Sequence, residues 1–198
     1  MLRCPEPHAE AFLVMSTGEM TGRMVRSGVL GCPVCGREYP IVKGVVCFSG
    51  GEGTSPRDPK TQSPRGAPSP PEPGTLQALL DLSGPGGYVV LLGAAARHAI
   101  GLADLMGGIH FVGVNAPANV EERPVLSLLQ CETAIPLRQT MARAVVVGRD
   151  RVDARWLVEA QRVLLPGRRL VVEDDGAALP AGITRLALGQ GLLVGERR

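Results

Sequence analysis

From residue 75 onward, apolar residues form short unbroken runs that alternate with segments of helical spacing. Four runs have the length and composition of strands buried on both faces: 88–92, 109–114, 144–147 and 169–172. Three segments repeat apolar residues at helical spacing: 76–82, 94–106 and 152–164. A turn at Pro166-Gly167 and a closing hairpin over 183–188 and 192–195 complete the pattern. This alternation predicts an α/β fold with a doubly wound, Rossmann-like sheet and a ligand crevice at the carboxyl ends of its strands.

The residues before position 49 carry a different pattern of short apolar segments separated by polar turns. Four segments predict short antiparallel strands: 11–15, 24–30, 38–42 and 45–48. The last two form a hairpin that turns at Lys43-Gly44. So small a unit buries too little apolar surface to be stable by packing alone, and such units are often stabilised by a bound metal ion.

Between these two parts lies a segment rich in Pro, Gly and Ser, SGGEGTSPRDPKTQSPRGAPSPPEPG, which has no large apolar residue. Such a segment cannot bury enough surface to offset the entropy of ordering it. The sequence therefore predicts a small N-terminal domain over 1–48, a linker over 49–74 and an α/β domain over 75–198.

Composition narrows the function classes. The chain is 44% hydrophobic but only 3% aromatic, which predicts an aliphatic core, and its 21 basic and 19 acidic residues give a net charge of +2. The basic residues form no cluster of the kind that binds nucleic acid, so the charge pattern does not indicate nucleic acid as a direct ligand. The sequence shows neither a secretory signal nor an apolar run near the roughly 20 residues that span a bilayer, so we expect a cytoplasmic protein. Cys47 and Cys131 then read as buried thiols rather than a disulfide.

The remaining three cysteines suggest a metal site. Cys32-Pro-Val-Cys35-Gly is a knuckle that turns two thiolates toward one cation, and Cys4 with His8 supplies a second, less regular pair. If all four bind one ion, the site is closed and tetrahedral, which makes zinc a structural part of the fold and predicts that residues 1–48 form a zinc ribbon. In the alternative interpretation, His8 is a surface histidine and the site is incomplete.

The knuckle and the strand after it resemble a known family. The run GVLGCPVCGREYPIVKGV, residues 28–45, is similar to the small zinc-binding activator proteins of tRNA, rRNA and release-factor methyltransferases. Bacterial relatives open with Cys-Pro-x-Cys, whereas this chain has Pro7 at the position of the second thiolate and His8 one residue later. The resemblance implies that an exposed strand edge of the ribbon pairs with a catalytic subunit by strand addition.

The second part resembles a shortened class I S-adenosylmethionine-dependent methyltransferase. The resemblance is carried by residues 89–93 as the first strand and turn, and by AQRVLLPGRRLVV, residues 160–172, as the helix, turn and fifth strand. It implies a cofactor site at the first turn and at the end of the second strand.

Most positions of that cofactor site have changed. The family pattern acid-x-Gly-x-Gly-x-Gly falls on residues 91–97, where Gly93 remains, Ala95 is a tolerable replacement, Leu91 replaces the acid and Arg97 replaces the third glycine. Arg97 adds a cationic side chain where a sulfonium cofactor needs clearance. Asn115 replaces the acid that binds the ribose hydroxyls, and an amide accepts only a weaker, uncharged bond. We therefore expect S-adenosylmethionine binding to be weakened or lost.

Four other side chains have alternative interpretations. Asp150 is either the acid at the end of the fourth strand or the cap of the helix that begins near Asp153, and the cap is favoured. His98 and His110 each lack an evident paired acid or nucleophile, so neither is predicted to be catalytic. Trp156 is predicted to pack in the core, with a partner interface as the alternative.

These observations favour a noncatalytic zinc-binding scaffold or partner subunit with a degenerate methyltransferase fold, acting through interaction with another protein subunit. An active small S-adenosylmethionine-dependent methyltransferase is the main alternative. An RNA-binding zinc-ribbon protein is the second alternative.

Overall fold

The computed structural model describes residues 2–49 and 70–198 of the chain. Most of the predicted linker, residues 50–69, lies outside the described residues, and the predicted domain boundaries stay a prediction. The described α-helices are α1 (Pro73–Leu80), α2 (Ala99–Leu105) and α3 (Ala154–Val163), and Gly93–His98 and Arg149–Arg151 form 3-10 helices. None of the helices in these ranges has the length and apolar character that spanning a bilayer requires.

Thirteen strands are described. Those before position 50 are β1 (Val14–Thr17), β2 (Met20–Thr21), β3 (Met24–Val25), β4 (Ser27–Gly31), β5 (Glu38–Val42) and β6 (Val45–Cys47). Those after position 70 are β7 (Tyr88–Leu92), β8 (His110–Val114), β9 (Leu126–Gln130), β10 (Ala142–Val147), β11 (Leu164–Val172), β12 (Ile183–Gly189) and β13 (Leu192–Arg197). Strands β2 and β3 form a small hairpin, and the other eleven form one sheet in the order β1-β4-β5-β6-β9-β8-β7-β10-β11-β13-β12.

Helices cover both faces of the parallel centre of this sheet. Alternate residues of β7 and β10 point to opposite sides, so one apolar cluster gathers under α1 and α2 and the other under α3. The predicted fold class, α/β with a doubly wound sheet, is confirmed. Trp156 is 1% exposed in the α3 cluster, which confirms its predicted packing role. Cys47 and Cys131 are buried thiols, as predicted, and desolvation raises the pKa of Cys131 to about 12.

The N-terminal ribbon, residues 2–48, belongs to the same sheet. Its last strand, β6, pairs in parallel with β9, with Val45 opposite Leu128 and Cys47 opposite Gln130. The N–H of Phe48 extends the ladder by donating to the carbonyl of Gln130 at 2.7 Å. The outer edge of β6 is therefore covered by β9 of the same chain, and pairing of the ribbon with a strand from another subunit stays a prediction.

The start of the ribbon is also attached to the α/β part, through the loop that follows β9. Leu2 forms a bridge with Leu137 of that loop. The loop is held by helix α3, because Arg162 donates to the carbonyls of Ile135 and Leu137 at 2.7 and 2.8 Å, and Glu159 accepts from the N–H of Ile135 at 2.8 Å. The ribbon thus contacts the α/β part along its last strand and at its first residues.

Two local predictions were wrong, and one strand was missed. The segment predicted as one helix over 94–106 is a 3-10 helix followed by α2, which begins at Ala99. Pro166 and Gly167 lie inside β11, where a register shift accommodates them, instead of forming a turn before the strand. Strand β9 was not predicted at all, although the residues Leu-Ser-Leu-Leu-Gln include an apolar pattern typical of a strand.

Candidate functional site

The four predicted metal ligands lie together. One donor atom from each of Cys4, His8, Cys32 and Cys35 falls within 4.8 Å of the other three. Cys4 Sγ lies 3.7 Å from Cys35 Sγ, and Cys32 Sγ lies 3.4 Å from His8 Nε2. A tetrahedral ion with metal–sulfur bonds of about 2.3 Å places its sulfur ligands about 3.8 Å apart. The residues present therefore fit a metal ion held by three sulfurs and one imidazole nitrogen.

We call the turn that carries Cys4 and His8 the first knuckle and the turn that carries Cys32 and Cys35 the second knuckle. The second knuckle is shaped by its backbone. Gly36 adopts φ +69°, which favours glycine, and its N–H donates to the carbonyl of Cys32 at 2.9 Å. Desolvation acts to raise the pKa of Cys32, but hydrogen bonds from the N–H groups of Cys35 and Val34, together with those from the side chains of Cys35 and Cys4, lower that pKa to about 6. The turn therefore favours the thiolate, which is the form that binds metals.

The first knuckle places its histidine by a hydrogen bond. His8 Nδ1 lies 2.7 Å from the carbonyl oxygen of Ala9 and donates to it. This bond fixes the tautomer and leaves Nε2, the nitrogen beside Cys32 Sγ, with a free lone pair. His8 lies one residue later than the second thiolate of the related ribbons. Its longer side chain still reaches the point where the three cysteine sulfurs meet.

A residue that the sequence analysis left out of the site also contacts a ligand. The hydroxyl of Tyr39 lies 3.1 Å from Cys4 Sγ, and both side chains are buried. The ring of Tyr39 packs against Phe48, with centroids 4.8 Å apart. The signal in the sequence was its position four residues after Cys35 on a predicted strand, but only the fold brings it beside Cys4.

The second predicted site lies at the carboxyl ends of the parallel strands, and we call it the strand-end crevice. At its first turn Gly93 adopts φ +64°. The carboxylate of Asp150 accepts a hydrogen bond from the N–H of Ala94 at 2.7 Å. A Cβ added to Gly93 would lie 2.5 Å from that carboxylate, and one added to Gly148 would lie 2.7 Å from the nitrogen of Ala95. The turn where a cofactor would meet backbone is therefore packed against this chain's own β10 end.

The other predicted cofactor positions are also committed to internal contacts. Asn115 is 6% exposed and its Oδ1 accepts from the N–H of Cys131 at 2.8 Å, which joins the ends of β8 and β9. Ala95 and Leu91 are fully buried. Arg97 is exposed, and its Nε donates to the carbonyl of Ala94 at 2.8 Å.

Two further residues of the crevice were assigned wrongly or incompletely. Asp150 does not cap helix α3, because the cap is Asp153, whose side chain accepts from the N–H of Trp156 at 3.2 Å. His98, for which the sequence showed no paired acid, lies 2.7 Å from Glu173 at the end of β11, and both are largely buried. These pairings depend on the folded sheet, since their partners are distant in sequence.

His110 lies at the opposite, amino end of the parallel strands. Its Nε2 is 2.9 Å from the hydroxyl of Ser127 on the neighbouring strand, and burial lowers the pKa of this imidazole. The pair therefore lies at the opposite ends of the strands from the crevice.

Taken together, the residues of the crevice do not fit S-adenosylmethionine. The backbone N–H at the first turn is bonded to Asp150, and the acceptor expected to hold the ribose is bonded to Cys131. A ligand would have to displace both contacts, and it would gain no acidic acceptor in return.

No protein-family model matches the chain, and neither does any curated protein sequence. Several solved structures are similar in fold. The complex between the Haloferax volcanii Trm112 methyltransferase activator and a methyltransferase matches with 19% identity and a TM-score of 0.42, over 51% of this chain and 50% of that chain. The antibiotic-resistance methyltransferase Kmr matches with 17% identity and a TM-score of 0.44, over 63% and 92%. Geranyl diphosphate methyltransferase in complex with SAM matches with 12% identity and a TM-score of 0.47, over 64% and 84%.

At such identities and TM-scores these structures indicate no activity for this chain, and the match spans only half of the chain in the Haloferax complex. The sheet itself defines the class. The parallel strands β9-β8-β7-β10-β11, followed by the antiparallel strand β13, form a doubly wound, Rossmann-like sheet. To this sheet the chain adds a small N-terminal unit whose cysteine and histidine side chains fit a metal ion.

Proposed function

We propose that this chain is a noncatalytic scaffold or partner subunit, in which a zinc ribbon is fused to a methyltransferase-type sheet that no longer binds its cofactor. The observation that carries this proposal is the contact of Asp150 with the first turn. Its carboxylate accepts from Ala94 and lies close to Gly93, so the turn that would face a cofactor is already in contact with a side chain of this chain. Catalysis of methyl transfer needs that position for the methyl donor.

The electrostatics support the same conclusion. A sulfonium cofactor brings a positive charge, and acidic side chains at the first turn and at the second strand would favour it. Here those positions hold Leu91 and Asn115, both buried among the chain's own atoms. The remaining acids, Asp150 and Glu173, already have partners in Ala94 and His98.

The proposed role of zinc is structural. Four protein ligands complete a tetrahedral shell, so no position remains for a substrate or a catalytic water. Bound zinc would hold the first knuckle, at Cys4, against the second, at Cys32 and Cys35. Zinc is favoured over harder cations because thiolates and imidazole suit it better than magnesium or calcium.

The proposed partner is another protein. Because β6 already pairs with β9, strand addition by a partner at that join is excluded in this conformation. Affinity purification of the full chain from its native cell, followed by size-exclusion chromatography, should show a larger complex with a second protein. If the chain elutes alone and also binds the cofactor, the scaffold proposal is wrong.

The proposal is tested by calorimetric titration of the full, zinc-loaded chain with S-adenosylmethionine and with its demethylated product. We expect no heat beyond dilution for either ligand, because the Ala94 N–H and the Asn115 acceptor are already bonded. A matched titration of Gly93→Val controls for binding elsewhere. Binding by the wild-type chain that is abolished in Gly93→Val would show a working cofactor site and would support the active methyltransferase instead.

A further inference from the structure

Tyr39 has an unusual setting for a tyrosine. Its side chain is 2% exposed and Cys4 is 3% exposed, so the contact between the hydroxyl and Cys4 Sγ is shielded from water. Buried polar groups are nearly always hydrogen-bonded, and at 3.1 Å this pair satisfies the hydroxyl. Strand β5 fixes the position of the tyrosine, since Tyr39 lies opposite Leu30 in the ladder with β4.

The direction of this hydrogen bond follows from the chemistry of the metal site. A cysteine that binds a metal is a thiolate, which has lone pairs and no proton. The phenol of Tyr39 is then the donor and the Cys4 sulfur the acceptor. A hydrogen bond to the charged form stabilises it, and groups that orient a ligand from outside the coordination shell raise metal affinity.

We propose that Tyr39 is a positioning residue of the metal centre, which donates a hydrogen bond to the metal-bound Cys4 sulfur and holds that ligand in place. This inference rests on the proposed zinc site. It assigns Cys4 a different setting from Cys35, which is exposed. The first knuckle has one thiolate, Cys4, and a histidine in place of a second one. Tyr39 on strand β5 would hold that single thiolate in place.

The competing explanation is that Tyr39 only fills space. Its ring packs on Phe48, and a phenylalanine would keep that contact. Tyr39→Phe therefore removes the hydroxyl alone and separates the two explanations. The chain offers a matched control, because it has only two tyrosines and the other, Tyr88, begins β7 beside His110.

The experiment compares the full chain with Tyr39→Phe and Tyr88→Phe. Zinc affinity is measured by competition with a chromophoric chelator, and the cobalt-substituted proteins are examined for their sulfur-to-cobalt charge-transfer band. For Tyr39→Phe we expect zinc affinity to fall by about tenfold or more, as for other residues that orient metal ligands. We also expect the band to move to lower energy, because the sulfur loses a hydrogen bond and donates electrons more readily. Tyr88→Phe should match the wild type in both.

Two results would overturn the inference in distinguishable ways. If the wild type binds zinc but Tyr39→Phe has the same affinity and the same cobalt band, the hydroxyl has no role at the metal and the zinc proposal still stands. If the wild type binds neither zinc nor cobalt, both proposals are wrong. The spectra are recorded at saturating cobalt, so they report the metal-bound sulfurs, Cys4 among them, even if the variant is less stable.

Discussion

The metal centre and the strand-end crevice are both built where strands end in tight turns, but their polar groups face in different directions. At the metal centre the donor atoms of Cys4, His8, Cys32 and Cys35 converge on one point. At the crevice each polar side chain is turned toward another part of the chain, as Asp150 is toward Ala94 and Asn115 toward Cys131.

This difference follows from the kinds of groups that meet. Three cysteine sulfurs and an imidazole nitrogen that meet at one point are the kind of donor set that fits a metal ion. The crevice instead brings acceptors together with N–H donors, and each pair is complete without a ligand. One region therefore presents donor atoms that fit an ion, and in the other the polar groups are already paired within the chain.

The largest effect should come from removing a metal ligand. In Cys32→Ala we expect loss of metal and unfolding of the ribbon, because bound zinc stabilises comparable small domains by about 10 kcal/mol or more. Metal content by mass spectrometry and circular dichroism measure the two effects. Cys47→Ala is the control and should keep one metal ion per chain, since Cys47 lies in the cluster under α1 and α2. A ribbon that stays folded without metal would contradict the comparison.

A smaller loss is expected at the crevice from Gly93→Ala. The alanine would have to adopt the left-handed backbone conformation of Gly93, and its Cβ would lie 2.5 Å from the Asp150 carboxylate. Gly22→Ala is a matched control, because Gly22 has φ +61° and open space where the Cβ would lie. We expect about 1 kcal/mol from the backbone conformation in both variants, and a further loss only in Gly93→Ala. Urea unfolding measures the difference, and equal losses would show that Asp150 does not fill the turn.

The smallest effect is a pH dependence of stability that arises from His110, at the amino ends of the same strands. Burial lowers the pKa of His110 below its ordinary value of 6.5, so the unfolded chain binds a proton there at a higher pH than the folded chain. The free energy of unfolding should therefore fall as the pH drops below about 6.5. His110→Gln should flatten this dependence, whereas Ser127→Ala should keep it because the imidazole remains. Unfolding curves between neutral and mildly acidic pH test this expectation.

Local patterns in the sequence predicted the features that depend on neighbouring residues. The hairpin at Lys43-Gly44 formed as expected, because both residues adopt positive φ between two strands. The knuckle at Cys32 and Cys35 was evident from its spacing. The strands Tyr88–Leu92 and Ala142–Val147 were visible as unbroken apolar runs.

Apart from the meeting of Cys4 and His8 with Cys32 and Cys35, the features that join distant parts of the chain were missed. The pairing of β6 with β9 joins two strands that belong to different predicted domains, and no local pattern distinguishes this partner from another protein's strand. The contact of Asp150 with Ala94 depends on how β10 and the first turn meet in the sheet. For the same reason, the partners of His98 and Cys4, Glu173 and Tyr39, were not found from the sequence.

The join between β6 and β9 has a consequence for synthesis. Val45 and Leu128 are separated by about 80 residues, so the ribbon leaves the ribosome well before the strand that covers its edge. Until β9 arrives, the outer edge of β6 is an open template for pairing with any extended chain. Early metal capture would keep the nascent ribbon in one shape during this interval, so zinc supply during translation should govern the yield of soluble protein.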